Sequence, residues 1–224
     1  MNITQCWSAK RNNVLSEKFF IKNYCHIKNQ TVSVNGKVIF NDVPITLGTE
    51  DFSTFIKNAY KFLKTDYSKF FKMDNLSKLA FLAADLLLKS ENLNEEENNI
   101  ALVFSNKASS LDTDRKHEAA IENEAEYFPS PAVFVYTLPN ICLGEISIKH
   151  RLHSENSFFI FDRFNAEHLQ LYANSLLRSG KAQKTLCGWV DFDENSYDAF
   201  LYLVEKEGEI KHTTEEITRL YNTL

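Results

Sequence analysis

The sequence has no excess of basic residues, no closely spaced cysteines and no long apolar run, and each absence removes a class of protein. Lys and Arg number 25 against 30 Asp and Glu, for a net charge of -5. Sequence-independent binding to nucleic acid depends on neutralising phosphates, so DNA and RNA are not expected partners. Cys6, Cys25, Cys142 and Cys187 show no CxxC spacing. Cys142 and Cys187 fall in apolar stretches, where a thiol behaves as a small hydrophobe. That usage reads as reduced, structural thiols in a cytoplasmic protein. The opening MNITQCWSAKRNN lacks an apolar signal core, and the apolar runs elsewhere are too short to span a bilayer. No GxSxG elbow, P-loop, GxGxxG, HExxH or paired CxxC is present, so no metal or cofactor is expected.

What remains is a chain of 224 residues, 44% hydrophobic, enough to bury the core of one domain. Residues 1–18 read as a polar arm and 19–224 as the domain. FFIKNYCHIKNQTVSV reads as strand, with Asn35-Gly36 as a turn into a further extended segment. From Asp51 the period changes to helical, with Phe52, Phe55, Ile56, Ala59, Phe62 and Leu63 on one face. Asp74 is placed to cap a second helix striped by Leu76, Leu79, Ala80, Ala83, Leu86 and Leu87. IALVFSN reads as a buried strand. Pro129 and Pro131 predict a loop, and Ala132 to Val135 a short strand. KTLCGWVDFDE and AFLYLVEK read as strands joined in a hairpin, and HTTEEITRLYNTL as a closing helix with a Thr cap.

The stretch from Thr137 to Asp193 organises the rest. TLPNICLGEISIKHRL reads as a helix, capped by Thr137 and with Pro139 in its first turn, whose marked face carries Ile141, Gly144, Glu145 and Ile148. NSFFIFDRFN follows as a strand without alternation, so both of its faces are expected to be covered. A helix striped by Phe164, Leu169, Tyr172, Ala173, Leu176 and Leu177 then ends at Gly180. Helices alternating with buried strands predict an α/β fold, with a mixed sheet of about five main strands and helices on its faces.

TLPN followed by GEISIKH resembles the helix before the nucleophile strand in β-ketoacyl synthases of the thiolase superfamily. FFIKNYCHIKNQ looks like their opening strand and FFKMDNLSKLAFLAADLLLKS like their first long helix, so the resemblance runs from about Phe19 to Asp193 and covers their amino-terminal half. It implies a thiolase-like half domain with the carboxy-terminal half missing. In an active member the strand runs into a Cys, and two His come from the second half. Here the family spacing, counted back from Gly180, places Arg163 at the nucleophile position with Asp162 beside it. Neither side chain attacks a thioester as a thiolate does, so no catalytic residue is expected. SNKASSLDTDRKHEAAI stands where the family carries a glycine turn, and lacks those glycines.

Asp162 and Arg163 read as a structural ion pair or an interface contact before a ligand site, because the position holds a permanent charge in place of a reactive group. Phe159, Phe161 and His168 are candidates for a pocket beside it. His150 and His153 read as cations at a helix end. Family members dimerise through the nucleophile strand, which implies Ser157, Phe158, Phe159, Ile160 and Phe161 as an interface strand. The expected function is a catalytically silent subunit supporting fatty acid or polyketide-type chain elongation, as chain-length factors do beside ketosynthases. Its partner would be an active ketosynthase or a second copy, with acyl carrier protein as a further contact. The alternative is a stand-alone homodimeric module that binds an acyl chain or carrier without catalysis. A third reading is an enzyme of unrelated chemistry built on Asp162, Arg163 and His168.

Overall fold

The computed structural model describes residues 18–42, 51–122 and 129–223. The expected amino-terminal arm, with Cys6 and Trp7, lies outside them, as does most of the loop before Pro129. One mixed sheet forms the middle of the molecule. Its strands are β1 (Phe20–Lys28), β2 (Thr31–Val34), β3 (Lys37–Asn41), β4 (Ile100–Asn106), β5 (Asn156–Ile160), β6 (Lys184–Asp193), β7 (Ser196–Glu205) and β8 (Ile210–Lys211). They lie in the order β3-β2-β1-β7-β6-β4-β5, with β8 also pairing β1, so the sheet has eight strands where about five were expected. The additional ones are short pieces, β2, β3 and β8, with β2 lying between β3 and β1. The run read as a single strand turns at Asn29-Gln30, whose φ angles of 48 and 58 suit a two-residue hairpin turn without glycine. The expected Asn35-Gly36 turn follows it.

Helices cover both faces. On one side lie α1 (Phe52–Phe62), α2 (Asn75–Leu88) and, farther along the chain, α5 (Ile141–His150). On the other lie α6 (Ala166–Arg178) and α7 (Thr214–Tyr221). Between them in sequence come α3 (Leu111–Ile121) and α4 (Pro131–Val135). Alternate residues of the central strands feed the two cores: Leu102 and Phe104 face one, Ala101 and Val103 the other. Asp74 caps α2 as expected, accepting from Ser77 N at 2.9 Å. The helix itself is buried on 11 of its 14 residues, more than a single stripe, because α5 lies over the side turned away from the sheet.

Several local expectations are corrected. Residues 132–135 are helix, not strand, because Pro131 occupies the first helical position, where its missing N–H costs nothing, and Ser130 caps the turn. Thr137 caps nothing; its hydroxyl donates to Phe134 O at 2.7 Å, and α5 starts later, after Asn140. The buried face of α5 is Cys142, Leu143, Ile146 and His150, whereas Ile148 is 62% exposed. Phe62 of α1 is also exposed and lies against Phe40. β5 is an edge strand with half-buried faces, so the expectation that both faces are covered does not hold.

Candidate functional site

β4, β5 and β6 run parallel, and β7, antiparallel to both β6 and β1, aligns β1 with that group. Their carboxyl ends therefore gather at one end of the sheet, where open α/β sheets place their ligand sites. Lys28, Asn106, Asp162, Arg163, Asp191 and the opening of β7 all belong to this end. Asp162 and Arg163 follow β5 directly, and both are exposed. The expected structural ion pair is absent: among the described residues Arg163 forms no ion pair, with Asp162 or with any other carboxylate. A groove of about 700 Å³ runs past both residues toward Thr214 and Thr218. A second depression, about 400 Å³, opens between Arg163 and Lys28.

Phe159, Phe161 and His168 do come together, packing ring against ring. The His168 ring meets Phe159 edge-on at 4.4 Å and Phe161 at 5.0 Å, with Tyr172 closing the cluster. Only Phe161 of these borders the groove. Alternation along β5 sends Ser157 and Phe159 to this side, with Ser157 Oγ 2.9 Å from Tyr172 Oη, and sends Phe158 to the opposite core. Asp162, Arg163 and His168 form no joint catalytic cluster: His168 is enclosed by rings, while the two charged residues face solvent.

The most connected polar group at this end was missed by the sequence reading. Asp198, near the start of β7, accepts from His26 Nε2 at 2.6 Å, Lys28 Nζ at 3.0 Å and Tyr221 Oη at 2.8 Å. Burial alone would raise its carboxyl, but His26, Lys28 and Tyr221 outweigh that and hold it below the usual range. His26 is 2% exposed and stacks on Tyr221. Asp198 stands opposite Lys28 across the β1–β7 ladder, a register that the sequence does not reveal because about 170 residues separate the strands. Asp191 accepts the backbone amides of Lys107 and Ala108 and so ties the loop after β4 to β6.

His150 is not a solvated cation at a helix end. It is 8% exposed and lies 3.3 Å from Asp85 in α2, which also binds Thr65 and Lys89. The pair joins α5 to α2, a structural role. Cys25 and Cys187 are wholly buried, which pushes both thiols up to about 12, and burial raises Cys142 well above its ordinary value. Cys187 is thus an inert strand residue. Among the described residues no cluster of metal ligands occurs and no helix is long and apolar enough to cross a membrane.

No protein-family model matches the chain, and no curated protein matches it in sequence. Solved structures do match. The ishigamide ketosynthase/chain length factor superposes with a TM-score of 0.59 at 16% identity, over 86% of this chain and 64% of that one. A type II polyketide synthase acyl-carrier protein in complex with its ketosynthase bound to the hexaketide provides a chain with a TM-score of 0.59 at 14% identity, over 84% of this chain and 62% of that one. The chain thus spans somewhat under two thirds of the length of both. A chain from the ketosynthase (ApeO) in complex with its chain length factor (ApeC) from Xenorhabdus doucetiae gives 0.56 at 12% identity, over 91% of this chain and 90% of that one. In fold, therefore, the chain is similar to chains from ketosynthase and chain length factor structures, a mixed α/β domain.

Proposed function

We propose that the chain is a catalytically silent ketosynthase-like subunit that supports acyl-chain elongation by associating with an active ketosynthase. The observation that carries this reading is the end of β5, where the position that the resemblance assigns to a nucleophilic Cys holds exposed Arg163 and Asp162. Among the described residues the thiols, Cys25, Cys142 and Cys187, are buried and raised in pKa, which supports the reading that none of these three replaces the attacker. The match to a chain of similar length from a ketosynthase–chain length factor complex supports a partner of that kind.

β5 offers the surface for association. Among the described residues it pairs on one side only, with β4, and leaves its other backbone edge free. Ile160 is 49% exposed on it, and Ile148 of α5 and Leu171 of α6 are exposed at 62% and 58% on the two helices that flank it. An open strand with apolar flanks is a liability in a monomer and a ready-made joint in a complex. Residues Ser157 to Phe161 are accordingly the proposed interface strand. The alternative, a stand-alone homodimeric module with an acyl pocket near Phe159, Phe161 and Arg163, is less well supported because Phe159 packs against His168 and Tyr172, leaving Phe161 and Arg163 on an open groove.

The test is co-expression with a ketosynthase encoded beside this chain, followed by size-exclusion chromatography and mass spectrometry after exposure to acyl thioesters. The expected result is a stable one-to-one complex that elongates, with acyl label on the ketosynthase alone. Failure to associate, or a thioester formed on this chain, would remove the reading.

A further inference from the structure

The depression of about 400 Å³ between Lys28 and Arg163 has no part in the association described above. It sits at the carboxyl ends of β1 and β6, and its walls are aromatic. Phe164 stacks on Tyr221 at 4.1 Å and stands edge-on to Trp189 at 6.3 Å, while Phe52 meets Tyr197 at 4.9 Å. Rings held against one another present flat, rigid apolar surface, which suits a small planar or apolar guest.

Four charged side chains line this depression, and they formally cancel: Lys28, Arg163, Asp191 and Asp198. Their bonding is not balanced. Asp198 already accepts from His26, Lys28 and Tyr221, and Asp191 from the amides of Lys107 and Ala108. Lys28 is committed to Asp198. Arg163 forms no hydrogen bond or ion pair among the described residues, so its planar fork of donors is unspent. A cation entering here would meet two positive side chains, with Asp198 already held by three donors and Asp191 taking both amides on Oδ1 alone. A neutral apolar guest would strip water from Arg163 without replacing it. What Arg163 lacks is an acceptor.

We propose that this pocket binds a small planar or apolar molecule carrying a carboxylate or phosphate group, with Arg163 gripping the anion and Phe164, Trp189 and Tyr221 holding the body. The site belongs to the isolated chain and is independent of whether the chain joins a ketosynthase.

Trp189 supplies the readout. The sequence holds two tryptophans, so Trp7→Phe leaves Trp189, at the pocket wall, as the sole reporter. In that background the chain is titrated at low salt with phenylacetate, phenyl phosphate and neutral benzyl alcohol while tryptophan emission is followed. The expected result is a saturable change with at least one anion, about tenfold or more tighter than benzyl alcohol. Whichever anion binds more tightly identifies the carboxylate or the phosphate as the native group. Arg163→Gln is expected to lower anion affinity about tenfold, and Arg163→Lys, which keeps the charge without the fork, to fall between. Arg163 is exposed and unbonded, so both variants should fold, which circular dichroism verifies. The proposal is overturned by no saturable signal with either anion up to about 10 mM, by equal affinity for benzyl alcohol, or by unchanged affinity in Arg163→Gln.

Discussion

Replacing Asp198 with Ala tests whether the cluster at the carboxyl end of the sheet holds the molecule together as its geometry implies. The carboxylate receives His26 at 2.6 Å, Tyr221 at 2.8 Å and Lys28 at 3.0 Å, with 15% of its side chain exposed. A hydrogen bond to a charged group contributes about 1.5–3 kcal/mol. Lys28 is 38% exposed and regains water when released, so its share is discounted to about 0–1 kcal/mol. His26, nearly fully buried, and Tyr221 are left without their acceptor, which brings the expected loss to about 3–5 kcal/mol. For a chain of this size each kcal/mol moves the midpoint by roughly 2–4 °C, so thermal unfolding should drop by roughly 6–20 °C. Asp198→Asn, which keeps the shape and one carbonyl acceptor, should lose less than half as much. The pH dependence has a definite sign. The folded pKa of Asp198 is depressed, so its contribution is complete above the unfolded carboxylate value near 3.9 and disappears as pH falls through the lower folded value. The gap in Tm between parent and Asp198→Ala should therefore close in acid. A variant that melts within about 2 °C of the parent at pH 7, or a gap indifferent to acid, would refute the reasoning.

Three further outcomes are expected. Gly188→Ala in β6 would place its Cβ 2.0 Å from Phe200 O and 2.9 Å from Leu201 Cα, so urea unfolding should show a loss of about 3 kcal/mol or more; a loss under about 1 kcal/mol would contradict the close approach of β6 and β7. Cys25, Cys142 and Cys187 should resist a disulfide-exchange reagent at pH 8 in the folded chain; rapid labelling of any of the three would contradict their burial. Ile160→Lys puts a charge on the open edge at a half-exposed position, so the fold should melt within about 1 °C of the parent while the complex proposed through β5 weakens about tenfold or more in size-exclusion or light-scattering titrations; an undiminished complex would place the interface elsewhere.

The parts of the fold that the sequence announced are those in which local chemistry and tertiary burial agree. Asp74 and Thr213 cap their helices, Gly180 stops α6 with φ of 73, and the β6–β7 hairpin lies where two apolar runs flank a polar turn. The errors arise where one residue permits two structures. Pro131 was taken to exclude a helix, although at the first helical position it favours one. Asn29-Gln30 turns the chain without glycine, which hid the three-stranded meander at the amino-terminal side. The face of α5 was misread because its buried residues include Cys142 and His150, and only a partner as distant as Asp85 makes a buried His intelligible. At the candidate site, Arg163 is marked only by the resemblance to a family, whereas His26 and Asp198 are joined only by the register of two strands far apart in sequence. Patterns along the chain report periodicity, and they are silent about which strand lies beside which.

The central position of β6 and β7 has a consequence for how the molecule assembles. These neighbours are joined by the two residues Glu194 and Asn195, so the middle of the sheet can form by a local event. β1, which must pair with β7, was synthesised far earlier and has to wait for it. Growth outward from this hairpin imposes a large loop-closure cost on β1, which slows folding and leaves β1 and the strands beside it dependent on protection until β7 has formed.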